Sequence, residues 1–422
     1  MLSKITQLFK IKDLRNKIFF VLALLVVFRI AAAIPVPGVD TTQLKQFFEN
    51  NQLFGLLNIF SGGAMKNFSI AMLGVAPYIT ATIIMQLLTM IFPQIEAMYK
   101  EGGEAGKQKF NQISRFLTIP LGALQGYAMI MLLQNQGVIS FPNFFTLITA
   151  IIVITAGTVF LMWIGELITE KGIGNGVSLL IFAGIIAGMP SAIQQMAIDP
   201  DLASKIPLYI GFLIGAILII LGVVVVTEGT RNIPVSYAKQ VRGHKMYGGF
   251  STYLPMRVNN AGVMPIIFAI SIMLFPGMAA AFISQTSITW LANAAVFVDG
   301  IFKNQIFYGF LYFILVILFT YFYTAITFDP KNIAQNLQKQ GGFVPGVRPG
   351  VNTAKFIQHI LNRTTLVGAI FLGAIAVLPF VVQSARPEMG FLAIGGTGLL
   401  IVVSVILETM KQIEGQITMR EY

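Results

Sequence analysis

Ten apolar stretches, each close to 20 residues long, set the limits on what this chain can fold into. They lie at roughly 18–35, 69–92, 116–135, 144–168, 177–197, 207–228, 260–283, 306–328, 364–383 and 389–408. A hydrocarbon core about 30 Å thick is crossed by about 20 helical residues, so each stretch reads as one transmembrane helix. Charged residues are only 11% of the chain and hydrophobic ones 56%, against about 25% charged in a soluble domain. The fold class is therefore an all-α polytopic membrane protein. Its 40 glycines suit close helix–helix approach in lipid. The sequence Ala31-Ala32-Ala33 behind a basic N-terminal segment has some look of a signal-peptidase site. Arg29 interrupts that apolar run and many spans follow, so the first stretch is read as a retained span.

An even number of spans puts both termini on one side, and the basic residues say which. Of the 28 Lys and Arg, 22 fall in segments that share a side with the N-terminus: 1–17, 93–115, 169–176, 229–259, 329–363 and 409–422. Lys45, Lys66, Lys205, Lys303 and Arg386 lie on the other side, and Arg29 lies within a span. By the positive-inside rule both termini are cytoplasmic, and the net charge of +11 mostly reports topology. Ten spans divide into an N-terminal half (18–197) and a C-terminal half (207–408). Five spans in each half makes the two halves inverted relative to one another, a common plan for translocating proteins. No residue-level repeat accompanies that arithmetic.

The stretch Leu56–Leu88 has a broken front end. Its rear, from Ser69 to about Phe92, is long enough to span. Its front, Leu56–Phe68, is a short apolar half-helix interrupted by Ser61-Gly62-Gly63, Lys66 and Asn67. Irregular backbone at membrane depth is tolerated only where it is buried in protein or lines a water-filled cavity, so the chain is expected to enclose an aqueous path. Two loops on the basic side, 229–259 and 329–363, are longer than a tight connection needs. They either face anionic lipid or form a docking surface for an acidic or RNA-rich partner. Pro345, Gly346, Pro349 and Gly350 stiffen the second loop.

Several chemistries are excluded. The chain has no cysteine, which removes disulfides, thiolate metal sites and cysteine nucleophiles. Its two histidines, His244 and His359, both lie in loops. No span interior supplies a nucleophile with a base or a pair of carboxylates, so a membrane enzyme is not indicated. No cofactor is expected. Gly172-Ile173-Gly174-Asn175-Gly176 lacks the Lys-Ser/Thr of a phosphate loop and reads as a turn. Ion-coupled transport leaves ionisable groups in the spans. In the span interiors, terminal residues aside, only Arg29 and Glu166 are charged, both near span ends, from where they can snorkel to an interface. An ion-coupled secondary transporter with inverted repeats stays as the alternative reading. A path lined by aliphatics, excluding water by dewetting, is the preferred one.

Seven motifs then narrow the reading. They are IPVPGVD (34–40), FSGGAMKNFSI (60–70), LGVAPYITATIIMQLL (73–88), FLMWIGELITEKGIGNGVSLLIFAGIIAG (160–188), RVNNAGVMPIIFA (257–269), GGFVPGVRPG (341–350) and GGTGLLIVV (395–403). In order and spacing, from about residue 14 to about 415, they resemble the SecY/Sec61 alpha family, the central subunits of protein-translocation channels. The resemblance implies ten helices in two five-helix halves around an hourglass pore, opening across the membrane and sideways through a lateral gate. It also implies that no catalysis is performed by the chain itself.

Carried over position by position, the resemblance makes Asn58, Ile59, Phe60, Ser61, Gly62, Gly63, Ala64, Met65, Lys66, Asn67 and Phe68 the plug that seals the closed pore on its outer side. It makes Val75, Ile79, Val177, Ile181, Ile267 and Ile401 the aliphatic pore ring. The pairs 75/79 and 177/181 are each spaced to share a helix face. Gln86 and Asn175 match polar positions near the gate; the plainer alternatives are interhelical hydrogen bonding and helix capping. Arg348, with Lys239, Arg242 and Lys245, matches the loop contacts for the motor ATPase SecA or the ribosome, including its ribosomal RNA. The segment AKQVRGHK (238–245) is less basic than the family's usual double-arginine pattern, and KEGGEAGKQK (100–109) carries an extra glycine. The implied setting is a bacterial cytoplasmic membrane. The implied partners are the SecE and SecG subunits, SecA, the ribosome, signal-peptide-bearing preproteins and membrane lipids.

Overall fold

Each of the ten apolar stretches contains a helix, and local chemistry sets where those helices begin and end. A computed structural model describes residues 11–37, 44, 61–135, 137–139, 141, 143–198, 202–237, 240–242, 245–247, 251–283, 290, 293, 300–301, 304–385 and 390–421. The first span is α1 (Lys12–Ala33), which stops because Ile34 precedes Pro35 and is driven to extended backbone (φ −81°, ψ 111°). The second is α2 (Ala76–Ile91), followed after Phe92 by α3 (Pro93–Lys100) with a bend of 110° between them. Pro93 explains that corner, since Phe92 is extended at φ −110° and ψ 110°. Next come α4 (Gly103–Asn135), α5 (Phe144–Lys171), α6 (Gly176–Ile198) and α7 (Leu202–Glu228). The remaining spans lie on α8 (Met264–Ile283), α9 (Gln305–Thr327), α11 (Val351–Ala385) and α12 (Gly390–Glu421), with the short amphipathic α10 (Pro330–Lys339) between α9 and α11.

Among the described residues, six helices are long and apolar enough to cross a membrane by themselves, and the bent pair α2–α3 makes a seventh. The outward faces are apolar: Phe19, Val26 and Ile30 on α1 and Leu213, Leu218 and Val225 on α7 are all exposed. A water-soluble monomer does not carry apolar patches of that extent, whereas lipid solvates them. Inside the bundle, close approach replaces a hydrophobic drive between helices. Gly165 of α5 and Gly176 of α6 lie so close that a Cβ on Gly176 would stand 1.8 Å from the Gly165 carbonyl oxygen. Hydroxyls on these helices bond back to the preceding turn, as Ser271 does to the Ile267 carbonyl at 2.9 Å and Thr320 to the Val316 carbonyl at 2.6 Å.

The first five spans and the last five meet along two seams. α8 packs on α2 and α4, and α12 packs on α6. The end of the bundle that carries the basic loops is also joined. Leu14 of α1, Ile173 in the α5–α6 turn, and Ile413 and Ile417 of α12 form one buried cluster there. Gln412 Oε1 accepts from the Gly174 amide at 2.9 Å, and Lys411 pairs with Glu228 of α7 at 2.8 Å. Glu166, read from the sequence as a residue that snorkels, instead pairs with Arg115 of α4 at 2.6 Å.

Two corrections concern the stretch around residue 60. The half-helix expected before residue 69 is, over its described part, a run of turns from 61 to 75. Gly62 and Gly63 take φ of 70° and 81°, a region a helix never uses and that glycine enters without steric penalty. The second span accordingly begins as helix only at Ala76, with Pro77 in its first turn. Its 16 residues extend about 24 Å, and the turns ahead of it complete the depth. That irregular backbone is buried in protein, as its setting demands. The turn segment lies on α5, where a Cβ at Gly157 would fall 1.8 Å from the Ile70 carbonyl oxygen.

Both long loops are ordered against each other in a way that no loop reading supplies. Strands β1 (Thr230–Tyr237) and β4 (Ser251–Arg257) pair antiparallel, and β2 (Gln240–Arg242) pairs with β3 (Lys245–Tyr247). β5 (Gly342–Phe343), from the second loop, adds to the free edge of β1 to give the order β4-β1-β5.

Candidate functional site

The candidate pore lies where the two halves meet. Val75 immediately precedes α2 and Ile79 lies in its first turn, Val177 and Ile181 come from α6, Ile267 from α8 and Ile401 from α12. Val75, Ile79, Ile181, Ile267 and Ile401 are all buried in one apolar cluster, and half-buried Val177 packs against it. Helices from each half thus contribute to the same aliphatic knot. The six side chains themselves carry no polar atom to hold water and no donor to select a particular peptide side chain.

Against this cluster sits the turn segment. Ala64 is fully buried in it, while Met65, Phe68 and Met72 belong to a second cluster with Val36, Leu133, Val138 and Ile139. Ser61 Oγ accepts from the Met65 amide at 3.2 Å and closes the first turn. The rear of the segment joins the chain leaving α1. The Val36 amide donates to the Phe68 carbonyl at 2.8 Å and the Ile70 amide to the Ile34 carbonyl at 3.0 Å. Arg29, read from the sequence as reaching for the interface, donates instead from Nη1 to the Gly62 carbonyl. Asn58, Ile59 and Phe60, the first three residues of the expected plug, lie outside the described residues.

The two polar gate candidates separate. Gln86 is half-buried on α2, a helix that lies against α8, and its Oε1 is buried without a hydrogen-bond partner among the described residues. Asn175 Oδ1 accepts from the Ser178 amide at 3.2 Å, and the Asn175 carbonyl accepts from Leu179. Its side chain caps α6.

The docking candidates lie on the sheet end. Val344-Pro345-Gly346-Val347 is a hydrogen-bonded turn, with the Val347 amide donating to the Val344 carbonyl at 3.1 Å and Gly346 at φ 81°. Proline second and a positive-φ glycine third are the requirements of a type II turn. The turn presents Arg348 as an exposed side chain, and Thr353 Oγ1 donates to the Arg348 carbonyl at 2.9 Å just as α11 begins. Beneath it, Ile233, Met256, Val344, Ile357 and Leu361 form a buried core that joins both loops to α11. Arg242 and Lys245 occupy paired positions at the tip of the β2–β3 hairpin. Lys239 lies outside the described residues.

Comparison with known proteins agrees with this geometry. The SecY family profile matches residues 69–410. The protein translocase subunit SecY of Streptomyces scabiei is 41% identical over 439 residues, covering 100% of this chain and 99% of that protein. The chain belongs to the SecY family. SecY-family chains are protein-conducting channels, and a transporter of small solutes is not favoured. The chain is a multi-pass membrane protein. A solved structure described as a protein-conducting channel superposes with a TM-score of 0.64 at 18% identity, covering 94% of this chain and 91% of that one. Sec61 from a canine ribosome–channel complex of the endoplasmic reticulum superposes at 0.59 with 18% identity and the same coverage. At that identity the likeness speaks for the fold.

Sequence reasoning missed two contributors. Arg29 was legible as the lone charge of the first span, but its partner lies 33 residues away and no local pattern pairs them. Gly157 was one of 40 glycines. Only the neighbouring Ile70 carbonyl distinguishes it.

Proposed function

We propose that this chain passes unfolded secretory polypeptides across the bacterial cytoplasmic membrane and releases apolar segments sideways into lipid. Both termini and the basic loops face the cytoplasm, and residues 58–68 plug the opposite mouth. The observation that carries the reading is the meeting of Val75, Ile79, Ile181, Ile267 and Ile401, drawn from both halves, in one buried cluster. A gasket of branched apolar side chains fits around an extended peptide of any sequence without binding it tightly, which is what a channel for many substrates needs. Parting the seam of α8 from α2 and α4 would open the path to lipid, with Gln86 on that seam. The chain supplies no energy of its own. The sheet end, with Arg348 at its turn and Lys239, Arg242 and Lys245 on the hairpin, is the surface for SecA or for a ribosome. The recovery of Sec61 from a ribosome–channel complex supports the second of these. SecE and SecG, by family resemblance, complete the assembly.

Because the chain has no cysteine, single cysteines can be placed at positions 79, 181 and 267 without background. A preprotein arrested in transit is expected to crosslink to all three. If none forms a crosslink in an actively secreting membrane, the ring assignment is wrong.

A further inference from the structure

We infer that Glu408 is a cation-accepting site at the entrance to the ring, where it meets lysine and arginine side chains of the passing chain before they reach the aliphatic waist. The inference rests on the channel reading above and adds a residue that sets which segments pass easily. On α12, Glu408 follows the ring residue Ile401 by seven positions. The two therefore share a helix face and stand about 10 Å apart along its axis. Between them Val405 is still buried in the ring cluster, whereas Glu408 is exposed. It is the first charged residue after Ile401 in the direction of the basic loops. One turn further, Gln412 accepts from Gly174 and Lys411 pairs with Glu228, so Glu408 lies inside the rim of the bundle rather than beyond it.

The carboxylate is unclaimed. Glu96, Glu104, Glu166 and Glu228 are paired with Lys100, Lys107, Arg115 and Lys411 at 2.8, 3.6, 2.6 and 2.8 Å. Among the described residues Glu408 has no such partner, and Arg257 at the foot of β4 acts on it only at longer range. Aromatic groups stand nearby. Tyr323 of α9 lies within electrostatic reach of Glu408. Its ring meets that of Phe268, the neighbour of the ring residue Ile267, edge to face with centroids 6.0 Å apart. An anionic oxygen beside aromatic faces is the chemistry that recognises ammonium and guanidinium groups. The layout of charge gives such a site a task. Of the 28 Lys and Arg, 22 lie on the side from which the passing chain enters, and like charges repel. The aliphatic ring beyond then takes a cation out of water, which is costly without a partner. Glu408 offsets part of that cost at the point of entry, and neutral side chains have no use for it.

The test is the rate of transit through the assembled complex in proteoliposomes, driven by SecA and ATP. No membrane potential is applied, so no field acts on the charges of the passing chain. Two preproteins are compared, identical except for a short run of lysines or of glutamines in the mature part. Glu408→Gln is expected to slow the lysine preprotein about fivefold, the scale of one contact between unit charges in a hydrated setting, and to leave the glutamine preprotein at the parent's rate. Glu408→Asp is expected to keep most of the parent's rate, and Glu408→Lys to slow the lysine preprotein further than Glu408→Gln does. Glu104→Gln removes the same charge at the start of α4, a helix that carries no ring residue, and should change neither rate. Equal slowing of both preproteins, no slowing of the lysine preprotein, or the same effect from Glu104→Gln would overturn the inference. If the parent passes neither preprotein, the channel reading falls and takes this inference with it. If it passes both and the ratio of the two rates ignores Glu408, only the inference falls.

Discussion

Gly157 is the position at which a single methyl group most directly tests how the 61–75 turn segment is supported. Built onto this backbone, a Cβ at Gly157 stands 1.8 Å from the Ile70 carbonyl oxygen, 2.6 Å from the Ile70 carbonyl carbon and 3.4 Å from the Ala71 nitrogen. All three are backbone atoms, so no rotamer change relieves the clash. Restoring ordinary contact requires about 1.5 Å of separation between α5 and the 69–71 segment. The same Ile70 donates its amide to Ile34, and Ser69 bridges Pro35, so the shift is passed to the chain leaving α1. Overpacking of this kind costs about 1–3 kcal/mol. Gly215 on α7 is the matched control, because a Cβ there meets nothing within 4 Å; alanine should be neutral or stabilising there by up to about 1 kcal/mol. Thermal unfolding of the purified complex in mild detergent, followed by size-exclusion chromatography, is expected to show Gly157→Ala melting several degrees lower and Gly215→Ala no lower than the parent. A resting ion leak in proteoliposomes is expected only for Gly157→Ala. Equal melting of both variants, with no leak, would refute the packing argument.

Further substitutions probe the other parts. Ile267→Asn and Ile401→Asn are expected to weaken the apolar seal and let preproteins with poor signal sequences through, scored as increased export in a secretion assay. Arg348→Glu should slow translocation severalfold while the complex still copurifies intact, since Arg348 is exposed and its backbone turn is unaffected. Gly346→Ala, at φ 81°, should cost about 1–2 kcal/mol in the turn and reduce docking of the same partner, measured by binding to the reconstituted channel. Arg115→Ala leaves Glu166, whose side chain is 15% exposed, without its partner. It should destabilise by about 1–3 kcal/mol after allowing for the half-exposed arginine. Arg115→Ala with Glu166→Gln should recover most of that loss in a thermal-shift comparison.

The docking end shows where sequence reasoning stops. Pro345 and Gly346 were legible as residues that stiffen the second loop, and the structure makes of them a type II turn at 344–347. That this turn abuts a strand pair more than 80 residues earlier was not legible. β1 accepts β5 through Ser236 with Phe343 and Tyr237 with Gly342, a pairing of backbone groups that no side-chain pattern encodes. Asn175 illustrates the opposite outcome. The sequence left it between gate and cap, and the cap is visible locally as one hydrogen bond from the Ser178 amide.

Residues 56–88 divide along the same line. Hydropathy alone determined that a span runs through the rear of this stretch, and Ser61-Gly62-Gly63 determined that the front could not be a plain continuation of it. Both are local properties: transfer energy sums along a segment, and glycine's access to positive φ belongs to the residue itself. What the front became was decided only by tertiary structure. Turns replaced the expected half-helix because Gly62 fits a notch between Phe28 and Gly184, Arg29 reaches its carbonyl, and Gly157 leaves room for Ile70. Those neighbours come from three other parts of the chain. Which helix faces meet depends on close packing among segments whose hydropathy is nearly uniform, so periodicity carries little record of it.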